Sequence, residues 1–221
     1  MSRTLSESAS KELLARFGVP FAPEHLVTDA SSAVAAAEEL GYPVVAKLCG
    51  DRVAHKTERG LVRLGLRGPD ELRRAVDELL AAATDEDEAT GVLVAPMVRG
   101  NRELIAGVST DPQFGATVLV GVGGVLAEAL ADVAVRPAPI SRVDAEEMID
   151  QLRTRDLLGP FRGEPPVDRS ALVDVLLALS EAASVVEGLR SVDLNPLVVH
   201  DGRPIAVDAL VELDLTAAGA R

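Results

Sequence analysis

The chain has 221 residues, of which 48% are hydrophobic and 26% charged, so it can form the core of one large domain or of two small lobes. Its formal net charge of −13 opposes non-specific binding to nucleic acid or to anionic membranes. The first residues lack the apolar segment of a signal peptide, the longest uncharged stretch (112–127) is too short to cross a membrane, and Cys49 is the single cysteine. We therefore expect a cytoplasmic protein that binds neither nucleic acid nor membranes.

Helical and extended patterns alternate in the first half of the chain. Gly18 and Gly41 are placed to end the first two helices, and Pro69 suits the first position of a third. Residues 19–23 have the composition of an extended linker, and residues 84–90 that of an acidic surface loop. The predicted elements are helices over 11–17, from Asp29 or Ser31 to Leu40 and from Pro69 onward, and strands over 43–49 and 61–66 around a polar loop of residues 50–60.

The second half of the chain is richer in strand patterns. Asp201-Gly202, between two apolar segments, is typical of a two-residue hairpin turn. These patterns predict an α+β (α/β) fold with mixed helices and mostly antiparallel strands, in two lobes that meet near residues 91–103, where ligands often bind. The predicted elements are strands over 92–98, 103–108, 116–120, 191–200 and 204–213, and helices over 143–152 and 170–186.

The last predicted hairpin brings three oxygen-bearing side chains together. With Asp201-Gly202 as the turn, Asn195 lies directly opposite Asp208, and Asp193 shares the face of Asn195 because strand side chains alternate. Mg²⁺ binds through one or two carboxylates and keeps sites for water and phosphate oxygens. The spacing is consistent with a magnesium site at these three residues, and equally with a polar face exposed to water.

Two charged residues lie within apolar strand patterns. Lys47 stands inside the run 43–49, where a buried ammonium group needs a counter-charge or a ligand, and phosphate is a natural partner. If that strand lies at the edge of its sheet, Lys47 points into solvent instead. Glu103 begins a later strand and can accept hydrogen bonds from ribose hydroxyls, although a salt bridge with Arg99 or Arg102 is the interpretation that the sequence alone favours.

The loop between the first two predicted strands contains His55-Lys56-Thr57. Histidine can act as a nucleophile and phosphoryl carrier near neutral pH, and loops on a rigid scaffold commonly carry functional residues. A lone loop histidine is more often a surface residue, so both interpretations stay open. The glycine run 121–124 can likewise expose backbone N–H groups to an anion or form a tight turn.

Taken together, these segments resemble in order and spacing the ATP-grasp domain of ADP-forming acetyl-CoA (acyl-CoA) synthetases, within the succinyl-CoA synthetase superfamily. The resemblance implies an ATP-grasp fold with two lobes, about 20–98 and 1–19 plus 99–221, and a nucleotide site between them. It covers almost the whole chain. The matching segments are 13–20 (LLARFGVP), 43–47 (PVVAK), 55–66 (HKTERGLVRLGL), 103–107 (ELIAG), 111–115 (DPQFG), 120–128 (VGVGGVLAE), 158–165 (LGPFRGEP), 193–196 (DLNP) and 206–209 (AVDA).

The resemblance also implies a role for each candidate residue, with ATP or ADP and Mg²⁺ as the bound species. The implied roles are phosphoryl carrier for His55, phosphate contact for Lys47, adenine-reading hinge for residues 94–98 with Ala95 and Val98, ribose contact for Glu103, and Mg²⁺ ligands for Asn195, Asp208 and Asp193.

The activity that the resemblance implies is that of an acid–thiol ligase (acetate–CoA ligase, ADP-forming). In this reaction acyl-CoA, phosphate and ADP interconvert with the free acid, CoA and ATP. A CoA-binding domain does not fit within 221 residues beside the other segments. We therefore expect a heteromer in which a separate CoA-binding α-type subunit handles the small carboxylic acid and CoA.

Two positions depart from the family pattern. Arg59-Gly60-Leu61 stands where relatives have paired glycines, and Leu61 restricts the backbone more than glycine does. Ala95-Pro96 stands where relatives often carry a polar hinge side chain, which leaves the choice between adenine and guanine open. Because of the first departure, an alternative function stays open: the chain is a nucleotide-sensing module that has lost phosphoryl transfer. A carboxylate–amine ligase, the third alternative, would not need His55.

Overall fold

The computed structural model describes residues 2–53, 56, 58–124 and 131–214. Short 3-10 helices are formed by Asp85–Asp87 and Arg155–Leu158. The other elements, in chain order, are β1 (Ser2–Thr4), α1 (Glu7–Ala15), β2 (His25–Val27), α2 (Ala30–Leu40), β3 (Val44–Gly50), β4 (Val62–Leu66), α3 (Pro69–Ala82), β5 (Ala89–Pro96), β6 (Glu103–Asp111), β7 (Gly115–Val122), β8 (Val133–Pro137), α4 (Arg142–Gln151), α5 (Arg169–Val185), β9 (Leu189–His200), β10 (Arg203–Ala206) and β11 (Leu210–Asp214).

The smaller of two compact units comprises Leu5–Ala9 and Ala22–Met97. Its four-stranded antiparallel sheet has the order β2-β5-β3-β4. Ala46 and Leu48 of β3 belong to a buried apolar cluster that includes residues of α2 and α3, and burial of such a cluster is the main favourable term in folding. Because side chains alternate along a strand, Lys47 points to the opposite face of this sheet.

The helix ends of the smaller unit follow from local capping. The carboxylate of Asp29 accepts hydrogen bonds from the backbone N–H groups of Ser31 at 2.8 Å and Ser32 at 2.9 Å, so Asp29 rather than Ser31 caps α2. Gly41 follows the last residue of α2, and Pro69 occupies the first turn of α3. The predictions for these helix ends are confirmed.

The larger unit comprises Met1–Thr4, Ser10–Phe21 and Val98–Arg221. Its seven-stranded sheet has the order β1-β11-β9-β6-β7-β8, and β10 pairs with β9 beside this path. The paired strands run antiparallel. The helices α4 and α5 pack on one face, where β6 and β9 bury alternate apolar side chains. The opposite face carries Glu103 of β6 and Asp193 of β9.

The predicted α+β fold with mostly antiparallel strands is confirmed. Strands β1, β2 and β8 were not predicted, because strands of three to five residues form on the backbone groups of a neighbour and leave little pattern of their own. The predicted strand over 204–213 is wrong as a single element, since residues 207–209 separate β10 from β11. Within the described residues, no helix is both long and apolar enough to span a membrane.

Candidate functional site

The face of the larger sheet opposite α4 and α5 carries two of the carboxylates that are predicted site residues. Asp193 of β9 pairs with Gly107 of β6, and Glu103 lies four residues earlier on β6, so Glu103 and Asp193 point to the same face. Four residues of an extended strand span about 13 Å. The two carboxylates therefore lie at separate points along one face, as contacts to the two ends of an extended ligand require.

The register of the last strands sets Asp208 opposite Asn195. The pairing of β10 with β9 stops at Ala206 and Leu197, and β11 resumes it in the same register. A stretch of three residues on each strand separates these two ladders, and Asn195 and Asp208 are the middle residues of the two stretches. Asn195 and Asp208 therefore lie opposite each other, as the hairpin turn predicts, although the segment after the turn is divided into β10 and β11.

The electrostatics of this cluster suit a hard cation. Desolvation by surrounding atoms raises the pKa of Asp193 above its ordinary value, and the negative charge of Asp208 raises that pKa further. The backbone N–H of Ala209 donates to Oδ1 of Asp208 at 2.9 Å and orients that carboxylate. No group of three or more His, Cys, Asp or Glu side chains that could hold a metal occurs among the described residues. A mixed set of two carboxylates and the Asn195 amide oxygen fits the ligands that Mg²⁺ accepts.

Glu103 is half-buried at the start of β6. Its backbone carbonyl accepts a hydrogen bond from the N–H of Gly123 at 2.8 Å, and a Cβ atom on Gly124 would lie 3.3 Å from its Oε2. The glycine run thus lets the end of β7 approach Glu103 closely, which explains these glycines without an anion. The alternative salt bridge of Glu103 with Arg102 is wrong, because Arg102 pairs with Glu164 at 3.2 Å.

Lys47 lies in the interior of its sheet. Strand β3 is flanked by β4 and β5, so the edge-strand alternative is wrong, and the side chain is only 12% exposed. The Nζ of Lys47 donates to Oε1 of Glu7 at 2.8 Å, and the Nζ of Lys56 donates to Oε2 of the same carboxylate. Two ammonium groups and one carboxylate thus form a buried cluster whose three charges sum to one positive charge.

Glu7 is a residue that sequence reasoning missed. It lies in the first turn of α1, and its side chain is 1% exposed. No motif marks it, and forty positions separate it from Lys47 in the sequence. One signal was present but weak: the chain has only three lysines, and Lys47 and Lys56 are two of them.

His55 lies outside the described residues, but both flanks of its loop are described. The carbonyl of Lys56 accepts a hydrogen bond from the N–H of Leu61 at 2.7 Å. The guanidinium group of Arg59 donates two hydrogen bonds to the carboxylate of Asp87, at 2.6 Å and 2.9 Å. These contacts fix the end of the loop that follows His55.

The predicted adenine hinge coincides with the passage of the chain from one unit to the other. Ala95 pairs with Val45 near the end of β5, and the smaller unit ends at Met97. Val98 is the first residue of this stretch in the larger unit, and both Ala95 and Val98 are half-buried. Their contact with a base remains a prediction.

Comparison with known proteins gives concordant matches. A family model described as an ATP-grasp domain matches residues 1–213. The β subunit of ADP-forming acetate–CoA ligase II from Pyrococcus furiosus is 37% identical over 198 residues, which cover 88% of this chain and 84% of that subunit. A structure of Ca. Korarchaeum cryptofilum dinucleotide forming acetyl-coenzyme A synthetase 1, in complex with coenzyme A, Ca-AMPCP and HgCl+, matches with a TM-score of 0.90 and 35% identity over 96% of this chain and 94% of that one. A second structure of that enzyme, with coenzyme A, Mg-AMPPCP and its phosphohistidine segment pointing towards the nucleotide binding site, matches with a TM-score of 0.81 and 35% identity over 94% and 92% of the two chains.

Proposed function

The chain belongs to the ATP-grasp domain family, and we propose that it is the nucleotide-binding subunit of an ADP-forming acyl-CoA synthetase of the acetate–CoA ligase type. It transfers a phosphoryl group between ATP or ADP and a histidine relay that is coupled to the formation or cleavage of a CoA thioester. The observation that carries the proposal is similarity along nearly the whole chain to a ligase β subunit of similar length. The ligase names of the relatives favour this function over a nucleotide-sensing module or a carboxylate–amine ligase.

His55 is the phosphoryl carrier in this proposal. A neutral imidazole nitrogen donates its lone pair to the γ-phosphorus of ATP and forms a P–N bond, while the bond to the bridging oxygen breaks and leaves its electrons on ADP. In the opposite direction, ADP takes the phosphoryl group from the histidine. The relative whose phosphohistidine segment points towards its nucleotide binding site supports this assignment.

Lys47, Glu103, Ala95 and Val98 contact the nucleotide in this proposal. The ammonium group of Lys47 neutralises phosphate oxygens, because a charge-assisted hydrogen bond to phosphate compensates for its burial. Glu103 accepts hydrogen bonds from the ribose hydroxyls. The backbone of the segment with Ala95 and Val98 contacts the adenine base.

Asn195, Asp208 and Asp193 hold Mg²⁺ in this proposal. The ion, when bound, supplies positive charge to the phosphate oxygens. In the register of the last strands, Asn195 lies opposite Asp208, and Asp193 belongs to the adjoining pairing of β9 with β11. The nucleotide analogue in a solved relative is present as Mg-AMPPCP, which supports the choice of metal.

The proposed partner is a separate CoA-binding α-type subunit, since a relative of similar length is named a β subunit. This partner binds CoA and the small carboxylic acid. A cytoplasmic location agrees with these substrates and with a cysteine, Cys49, that is buried as a thiol.

Labelling with γ-³²P-ATP and Mg²⁺ tests the proposal directly. We expect wild type, with its candidate α-type partner present, to acquire acid-labile, base-stable label, and His55→Ala to acquire none. His25→Ala is the matched control, because His25 is a half-exposed histidine of the smaller unit with only a 3.7 Å contact to Glu39. Label should be retained in this control.

Nucleotide binding without any label, even with partner and CoA present, would contradict phosphoryl transfer and leave a nucleotide-binding module. Turnover that persists in His55→Ala would instead indicate chemistry of the carboxylate–amine ligase kind, which has no histidine relay.

A further inference from the structure

The carboxylate of Glu7 has no part in the steps described above, yet it is the most deeply buried member of the lysine cluster. Its side chain is 1% exposed, against 12% for Lys47 and 15% for Lys56. One oxygen accepts from Lys47 and the other from Lys56, so each lysine has its own carboxylate oxygen. The same carboxylate therefore sets the positions of both ammonium groups.

A buried lysine pair is electrostatically unstable without such a carboxylate. Burial disfavours the charged form of each ammonium group, and the repulsion between two ammonium groups acts in the same direction. A shared carboxylate opposes both effects. Removing one partner from a buried ion cluster leaves a charge without compensation, which is far more costly than removing an exposed pair.

Within its own sheet, Lys47 lies beside apolar residues. On the flanking strands, Lys47 pairs with Val62 of β4 and Leu93 of β5, both of which are apolar. Helices α2 and α3 pack on the other face of the sheet. The charged residues nearby in the described sequence are Lys11 in the next turn of α1, Asp51 and Glu58 in the loop, Arg52, which pairs with Glu88, and Arg59, which pairs with Asp87.

We propose that Glu7 is a positioning residue whose carboxylate holds the ammonium groups of Lys47 and Lys56 as one cation pair, and that this pair binds the phosphoryl group in transfer. Lys56 adjoins His55 in the sequence, so the pair joins the strand lysine to the segment of the phosphoryl carrier. The identity of the anion rests on the proposed function, whereas the ion cluster stands on its own contacts. Lys56 becomes a second phosphate contact.

Lysine NMR at neutral pH tests the ion cluster without any nucleotide. The chain has three lysines, so ¹³C-lysine labelling gives three sets of ε-methylene signals, which Lys47→Arg and Lys56→Arg assign. In Glu7→Gln we expect the signals of both Lys47 and Lys56 to shift from their wild-type positions, because the carboxylate that holds the two ammonium groups is lost. Signals of both lysines at their wild-type positions would overturn the proposal.

Two further variants keep the test decisive if Glu7→Gln folds poorly. Glu7→Asp retains the charge but is one methylene shorter, so we expect one lysine to keep its wild-type signal and the other to shift. Two unchanged signals would contradict the bridging role. Glu12→Gln is the matched control on the same helix, where Glu12 forms an exposed pair with Arg16. It should leave both signals unchanged.

Binding of Mg-ADP at neutral pH tests the phosphate contact. Glu7→Gln should bind Mg-ADP about tenfold more weakly than wild type, because its two ammonium groups are no longer held in place. An affinity of Glu7→Gln equal to that of wild type would refute the role of the pair in phosphate binding. Failure of wild type to bind Mg-ADP would refute the proposed function instead, and the NMR signals would still decide the role of Glu7.

Discussion

Leu61 departs from the paired glycines that the family resemblance leads us to expect, and its surroundings show how the loop accommodates this residue. Its side chain is 2% exposed and belongs to the apolar cluster of the smaller unit. Its backbone N–H donates to the carbonyl of Lys56, and its carbonyl accepts from the N–H of Leu48. Gly60 takes the positive φ of 65°, so the turn is made before Leu61. The departure adds apolar burial at the end of the His55 loop.

Asp87 corrects the prediction of an acidic surface loop over residues 84–90. Its side chain is 3% exposed, and it accepts hydrogen bonds from Arg59 and from the N–H and hydroxyl of Thr84. The Arg59 guanidinium, and then the Thr84 N–H, hold the pKa of Asp87 well below its ordinary value. A buried carboxylate thus ties the His55 loop to the 3-10 helix that follows α3.

Substitution of Asp87→Asn should lower the free energy of unfolding at neutral pH by about 2 kcal/mol, because two charge-assisted hydrogen bonds are lost. The pKa of Asp87 is lower in the folded than in the unfolded state. Its stabilisation is therefore complete above about pH 4 and is lost as pH falls through the folded pKa. Denaturant titrations between about pH 5 and pH 2 should show a smaller loss in the variant than in wild type.

Glu86→Gln is the control for this measurement, since it makes the same charge change at the exposed neighbouring position. It should lose stability in acid as wild type does. If Asp87→Asn and wild type instead lost stability in parallel, the Arg59 contact would have no part in the acid sensitivity.

Strand β9 switches the face of its side chains within its own length. Val192 and Leu194 are buried, and so are Leu197 and Val199, although Leu194 and Leu197 are three positions apart rather than two. The switch coincides with a shift in the pairing of β9 with β6 and with the gap between β10 and β11. An extra residue in one strand of a pair has this effect, and it lets β9 expose Asp193 while burying Leu197.

The turn that begins β10 can be tested with two glycine substitutions. In Gly202→Ala, a Cβ atom would lie 2.7 Å from the carbonyl oxygen of Pro166, at a residue whose φ is +83°. Gly18→Ala has a similar φ of +95° but no atom within 4 Å of the new Cβ. We expect Gly18→Ala to cost about 1 kcal/mol of unfolding free energy from backbone strain, and Gly202→Ala at least about 2 kcal/mol. Equal losses in urea titrations would show that the Pro166 contact relaxes at no cost.

The whole molecule consists of two units, each with its own sheet and apolar core. The residues proposed to contact the nucleotide are divided between them. Lys47 belongs to the smaller unit, whereas Glu103 and the metal-ligand candidates belong to the larger one.

Mg-ADP should stabilise the whole chain against heat. At a free concentration of 100 times its Kd, a ligand that binds only the folded state raises the free energy of unfolding by about 2.7 kcal/mol. Calorimetry with Mg-ADP should show this gain in wild type, and removal of Mg²⁺ with EDTA should reduce it. Asp208→Asn should respond to ADP about equally with and without Mg²⁺. A gain in wild type that does not depend on Mg²⁺ would contradict the metal site at Asp193, Asn195 and Asp208.

The sequence by itself determined the features that a few consecutive residues encode. The cap of α2 at Asp29 or Ser31, the start of α3 at Pro69 and the hairpin turn at Asp201-Gly202 follow from local hydrogen bonds and backbone preferences. That turn also fixes the register that sets Asn195 opposite Asp208. The family resemblance adds the ATP-grasp fold, because its motifs keep one order along nearly the whole chain.

The tertiary structure decided the features that depend on distant partners. The contact of Glu7 with Lys47 joins residues 40 positions apart, and that of Arg59 with Asp87 joins residues 28 apart. A charged residue carries no local sign of its burial, because the cost of burying it depends on which opposite charge the fold brings beside it. The face switch in β9 and the three short strands likewise depend on neighbouring strands. Local patterns thus determined where elements begin and end, and long-range pairing decided which charges are buried and what they hold.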